Sequence, residues 1–136
     1  MNGAPLILVV DDFSDNREMY AEYLRYAGFR VEEATNGREA LDKAAQHVPD
    51  AIVMDLSLPE MDGWEATRRL KANPDTKHVR IIAVTGHALK GHNRSALDAG
   101  CDAFVTKPCL PEELVRHLRQ LLEAPSAKAR TRTGRR

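Results

Sequence analysis

The sequence predicts an α/β domain: a doubly wound, five-stranded parallel sheet covered on both faces by five helices. Two observations carry this. Short apolar runs, among them LILVV at 6–10, AIVM at 51–54 and IIAV at 81–84, alternate with segments of helical periodicity. These runs are continuous rather than alternating, as expected for strands buried on both faces of a parallel sheet. A third observation concerns chemistry. Polar residues follow these runs at their carboxyl ends, where open α/β sheets bind ligands.

The elements follow in order. Leu6 to Val10 is the first strand, and it stops at Asp11 and Asp12. Ser14 or Asp15 can cap the first helix, and Asp15 with Glu18 has capping-box spacing. Met19, Tyr20, Tyr23, Leu24 and Ala27 recur at helical spacing and form the expected buried face, with Gly28 as the stop. Phe29 to Ala34 is a short strand. Asn36-Gly37 opens a second helix to about Gln46, with Ala40, Leu41 and Ala44 inward. Ala51 to Met54 is the central strand, and it ends on Asp55. Pro59 and Asp62-Gly63 are turn chemistry.

A third helix follows Gly63, carrying Trp64, Ala66, Thr67 and Leu70, and Asn73-Pro74 stops it. Ile81 to Val84 is the fourth strand and runs into Thr85. A helix is expected over about Leu89 to Ala99, ended by Gly100. Ala103 to Thr106 is the fifth strand, followed by Lys107-Pro108. Pro111, Glu112 and Glu113 start the last helix, which runs to about Glu123; proline at the first position and acids in the first turn suit that end.

Composition limits the function classes. The 136 residues are 43% hydrophobic and 29% charged, ordinary for one globular domain. No stretch approaches the roughly 20 apolar residues of a membrane span, and no signal peptide is visible. Cys101 and Cys109 lack zinc-ligand spacing and read as reduced apolar residues of a cytoplasmic protein. Twenty basic residues balance twenty acidic ones, but Lys128, Arg130, Arg132, Arg135 and Arg136 all lie in 125–136. Residues 1–124 therefore carry −5, fifteen basic against twenty acidic. The expected organisation is a domain over 1–124 and a basic, disordered tail over 125–136. DNA binding is not expected from an acidic body with so short a basic arm.

Asp11 and Asp12, Asp55, Thr85 and Lys107 all sit at carboxyl ends of the strands and should share one edge of the sheet. Three crowded carboxylates repel one another. A divalent cation with oxygen preference removes the repulsion. Magnesium fits, or manganese in its place, because it is held by one or two carboxylates and keeps waters that a phosphate can replace. Lys107 adds a fixed positive charge and Thr85 a hydroxyl. Such a site suits an incoming phosphoryl group, with a carboxylate as nucleophile and an aspartyl phosphate as product.

These motifs resemble those of the receiver domain of bacterial two-component response regulators. The resemblance covers about residues 5–123. It rests on Asp11-Asp12 after the first strand, Asp55 in DLSLPEMDG, Thr85 in AVTGHA and Lys107-Pro108 in FVTKP. Near the first helix, at VVDDFSDNRE, the chain looks especially like the single-domain chemotaxis regulators. The resemblance implies a flavodoxin-like strand order, 2-1-3-4-5. It implies that Asp55 is the phosphoacceptor. It implies that Asp12 and Asp55 bind Mg2+ through side chains, Ser57 through its backbone carbonyl and Asp11 through water. Lys107 then pairs with the phosphoryl group, and Thr85 turns its hydroxyl toward it after transfer. Phe104 is the implied switch aromatic. It follows Thr85 and changes the surface made by the 89–99 helix, the fifth strand and the last helix. Lys107-Pro108 is expected to be a cis peptide.

The function implied is a phosphorylation-activated signalling switch and not an enzyme, beyond catalysing its own magnesium-dependent phosphorylation and dephosphorylation. Its implied partners are a sensor histidine kinase or histidine phosphotransfer protein and a downstream protein target, with the chain itself a monomer or weak dimer. The alternatives are a receiver fragment of a hybrid kinase or DNA-binding regulator, and a phosphatase of the haloacid dehalogenase type. The phosphatase needs its nucleophile after the first strand in a DxD pattern, where this chain has DDF. A flavin carrier is excluded, since Asp11 and Asp12 would repel its phosphate. The chain departs from the family pattern in several places. Gly86 follows Thr85, where alanine is common. Ser57 and His87 occupy the two positions that tune the lifetime of the aspartyl phosphate. Cys109 and Leu110 replace a frequent Phe-Asp pair, which removes a cap for the last helix.

Overall fold

The computed structural model describes residues 4–55, 63–85, 100–106 and 109–123. In chain order they form β1 (Leu6–Val10), α1 (Ser14–Tyr26), β2 (Arg30–Ala34), α2 (Gly37–Gln46), β3 (Ala51–Asp55), α3 (Gly63–Ala72), β4 (Arg80–Thr85), β5 (Ala103–Thr106) and α4 (Pro111–Glu123). All four strand pairings are parallel, in the order β2-β1-β3-β4-β5. Four helices lie among the described residues. The helix expected over Leu89 to Ala99 falls outside them, as does the 125–136 tail.

The apolar runs become strands because period-two alternation supplies two cores at once. Leu8, Val10, Ile52, Met54, Ile81 and Ala83 face one side, where Ala40 and Ala44 of α2 and Ala66 and Leu70 of α3 cover them. Ile7, Val9, Ala51, Val53, Ile82 and Val84 face the other, under Tyr20 and Leu24 of α1 and Leu114 and Leu118 of α4. Every residue of β3 is buried, which fits its central place. The edge strands differ. β2 reads RVEEA with only Ala34 buried, and all four residues of β5 are half-buried.

Helix ends follow local chemistry in two cases and tertiary chemistry in a third. Asn36 caps α2 by accepting the Glu39 N–H at 2.8 Å. Gly28, at φ +105°, closes α1 in a Schellman turn: its N–H donates to Arg25 O, and Phe29 N–H donates to Leu24 O. The start of α1 departs from expectation. Its N-cap is Phe13, without a side-chain cap bond, and neither Ser14 nor Asp15 is the cap. The buried face also differs from the expected set. Ala21 is fully buried, whereas Met19 is 40% exposed. Tyr20 and Leu24 already fill the stripe, and Met19 lies one position off it.

Both cysteines are free and buried. Burial is the main cause that pushes the Cys101 thiol up to about 11 and the Cys109 thiol upward as well. The thiolate is the reactive form. Neither thiol should therefore react with a thiol-specific disulfide reagent at pH 8 in the native protein, and both should react after unfolding in guanidinium. Fast native labelling of either would contradict this packing.

Candidate functional site

The carboxyl ends of β1 and β3 lie side by side, with Val10 opposite Met54. This is where the strand order reverses: β2 lies on one side of β1 and β3 on the other. Such a reversal opens a crevice above the strand ends. Asp55, the last residue of β3, is 3% exposed, and Asp11, just past β1, is 4% exposed; Asp12 beside it is exposed. One carboxylate oxygen from each of Asp11, Asp12 and Asp55 can be chosen so that all three lie within 4.8 Å of one another. The structure thus joins residues that are 44 positions apart in the chain.

Asp11 is held from several directions. Its N–H donates to Ala34 O at 3.1 Å, extending the ladder to β2. Its Oδ1 accepts the Phe13 N–H at 2.9 Å. This bond turns the chain into α1 and takes the place of the capping box read from the sequence. The Asp11 carbonyl accepts from Arg17 Nη1 at 3.1 Å. Tyr20 lies beneath, donating its hydroxyl to Cys109 O at 2.7 Å. Burial, then the negative charge of a Cys109 thiolate and of the Asp11 carboxylate, push the Tyr20 phenol up to about 12, so it stays protonated and keeps that bond.

Three close carboxylates, two of them buried, repel one another, and a cation between them would offset that repulsion. The donors are all oxygens, which suits a hard divalent cation better than zinc or copper. Thr85 is the last residue of β4, paired with Thr106, so its backbone sits at the same edge of the sheet. Phe104 in β5 pairs with Ala83, and its half-buried ring packs on the α2–α3 side of the sheet. Ser57, His87, Lys107 and Pro108 lie outside the described residues. Sequence reasoning missed Arg17 and used Tyr20 only as core. No spacing rule connects either residue to the strand-end acids.

The profile of the response regulator receiver domain matches residues 7–119. The chain belongs to that family. It is 37% identical over 102 residues to the polar-differentiation response regulator DivK of Brucella anthropi, a match that covers 75% of this chain and 83% of that protein. Among solved structures, it is similar to the receiver domain of a sensor histidine kinase from Pseudomonas aeruginosa, with 35% identity, a TM-score of 0.83, and coverage of 90% of this chain and 100% of that one. That structure holds a magnesium ion in its active-site cleft. The chemotaxis protein CheY4 of Vibrio cholerae is also similar, at 30% identity and TM-score 0.83, covering 87% of this chain and 98% of that one. As a receiver domain of two-component systems, this chain is a phosphorylation-activated signalling switch rather than a metabolic enzyme. No helix among the described residues is long and apolar enough to cross a membrane.

Proposed function

We propose that this receiver accepts a phosphoryl group on Asp55 from a sensor histidine kinase or a histidine phosphotransfer protein. The convergence of Asp11, Asp12 and Asp55 at the strand-order reversal carries this reading. Asp12 and Asp55 hold Mg2+ through their side chains, Asp11 acts through water, and Ser57 contributes its backbone carbonyl; manganese is an alternative ion. The ion supplies charge neutralisation for the acids and for the transferred group. Asp55 is the only one of the three acids that ends the central strand, where it is buried. Its oxygen attacks phosphorus in line, and the bond to the donor nitrogen or acyl oxygen breaks. A carboxylate nucleophile has no proton to give up on attack, so the step calls for no general base. Lys107 pairs with the phosphoryl oxygens. Thr85 turns to the phosphoryl group after transfer, and Phe104 follows. The surface of the 89–99 helix, β5 and α4 then changes for a downstream protein. Ser57 and His87 tune the lifetime, Lys107-Pro108 is cis, and the protein catalyses its own dephosphorylation. The receiver spans 1–124, and the basic 125–136 segment is a solvated tail. The protein works in the cytoplasm as a monomer or weak dimer.

Acetyl phosphate with magnesium tests the chemistry without a kinase. Intact mass spectrometry should show one added phosphoryl group, lost on chelation with EDTA before the donor is added. No mass increase at saturating donor would sink the reading. The ion has a separate test. A ligand bound only by the folded state stabilises it by about 2.7 kcal/mol at a free concentration about 100-fold above Kd. Magnesium should therefore raise the melting temperature of the wild type, and Asp12→Ala should blunt that rise. A wild-type melting curve that ignores several-fold increases in magnesium would mean that the three acids form no cation site.

A further inference from the structure

We propose that Arg17 is a positioning residue of the acid site: gripped by Glu33 of β2, it fixes the Asp11–Asp12 peptide and so sets the affinity for the divalent cation. This inference rests on the reading of Asp11, Asp12 and Asp55 as a magnesium site.

Arg17 lies in the first turn of α1, and its side chain is only 13% exposed. Its Nη1 donates to the Asp11 carbonyl at 3.1 Å, and its Nε donates to Glu33 Oε1 at 3.1 Å. The guanidinium thus spans from the end of β1 to the side chain of the neighbouring strand. Glu33 is itself anchored. Arg25 Nη2 lies 3.6 Å from its other carboxylate oxygen, and Lys43 donates to its backbone carbonyl. Contacts from α1 and α2 therefore converge on one glutamate.

The carbonyl that Arg17 holds belongs to the peptide between the two adjacent acids. A peptide unit is planar. Holding its oxygen therefore fixes the plane whose two ends carry the Asp11 and Asp12 side chains. The N–H of Asp11 and its Oδ1 are tied elsewhere, to Ala34 and Phe13. The Arg17 bond adds restraint on the next residue in the chain, Asp12, which is exposed at the mouth of the site. Groups that orient metal ligands from behind typically change metal affinity about 10–100-fold when removed.

Three roles for Arg17 predict different signs. If it acted only through charge, its removal would strengthen cation binding, because a positive group near the acids would be gone. If it only supported the fold, the melting temperature would fall and the magnesium Kd would not move. A positioning residue predicts weaker binding despite the lost positive charge. Lysine keeps the charge but lacks the planar fork that reaches two acceptors at once.

Isothermal titration of magnesium chloride into the full chain, at one pH and ionic strength, separates these outcomes. Arg17→Ala should weaken magnesium about 10-fold. Arg17→Lys should weaken it in the same direction, and Glu33→Met, which removes the acceptor for Arg17 Nε but leaves Arg17 in place, should do so by less. A Kd for Arg17→Ala equal to or tighter than that of the wild type overturns the proposal, and so does full rescue by lysine. If Arg17→Ala does not fold by circular dichroism, Glu33→Met decides, and an unchanged Kd there overturns the proposal. Absence of magnesium binding by the wild type is a different failure: it removes the cation site itself before any variant is compared.

Discussion

Asp55→Asn should take up no phosphoryl group from acetyl phosphate and magnesium, leaving the intact mass unchanged while the wild type gains one group. The loss should be complete because an amide is a very poor nucleophile and, among the described residues, neither neighbouring acid is placed to replace Asp55. Asp11 spends Oδ1 on the Phe13 N–H, and Asp12 lies exposed at the mouth. The same substitution carries a second sign. Two unit charges about 5 Å apart at an effective dielectric of about 20 interact by about 3 kcal/mol. Removing the Asp55 charge relieves part of the repulsion within the acid cluster. The magnesium-free variant should therefore melt no lower than the magnesium-free wild type, and its response to magnesium should shrink. Phosphorylation of the Asn variant at the wild-type rate would move the acceptor to another residue. A large drop in magnesium-free stability would show that partners of the Asp55 carboxylate outweigh the repulsion.

The strand ends were legible because a buried run such as AIVM has few alternatives once turn residues bound it, and an acid at its end stands out. α2 was legible for a local reason: Asn36-Gly37 both caps and starts it, so neighbours in sequence suffice. The start of α1 was not. Its sequence offers Asp15 and Glu18 at capping-box spacing, yet the turn is made by Asp11, which is placed by β1 and β2. A rule confined to four residues cannot see a sheet. The same limit hid the Arg17–Glu33 pair, whose members are 16 positions apart on a helix and a neighbouring strand. Asp102 shows the limit again. No local pattern marks it, yet its Oδ2 accepts from Lys71 Nζ at 3.0 Å and from the Ile81 N–H at 2.8 Å. It thereby ties the end of α3 to the starts of β4 and β5. The β2 strand shows the converse. RVEEA is a poor apolar run, and it is tolerated because β2 is an edge with only Ala34 buried.

Leu118→Ala should be the most destabilising single change among these predictions, at about 2–5 kcal/mol, because it empties a fully buried site that cannot collapse freely. Leu118 and Leu114 are both 0% exposed and lie one turn apart on α4. They press that helix onto the face of the sheet that carries Ile82 and Val84, in the same core as Leu24 of α1. Neighbours on that face are themselves fixed by strand pairing, which limits relaxation into the hole. For a domain of this size the loss corresponds to a fall in melting temperature of roughly 8–20 °C. The acid site stands at the strand ends of β1 and β3 and shares no residue with this cavity. At a temperature where the variant remains folded, Asp55 should therefore still take up one phosphoryl group. Chemical denaturation with the urea slope unchanged and the midpoint lowered would match a simple loss of stability. A midpoint within experimental error of the wild type would mean that α4 is not held by its leucine face. Loss of phosphorylation in the fully folded variant would mean instead that the packing of α4 reaches the site, with the Tyr20–Cys109 bond, which joins α1 to the segment leading into α4, as the connection to test.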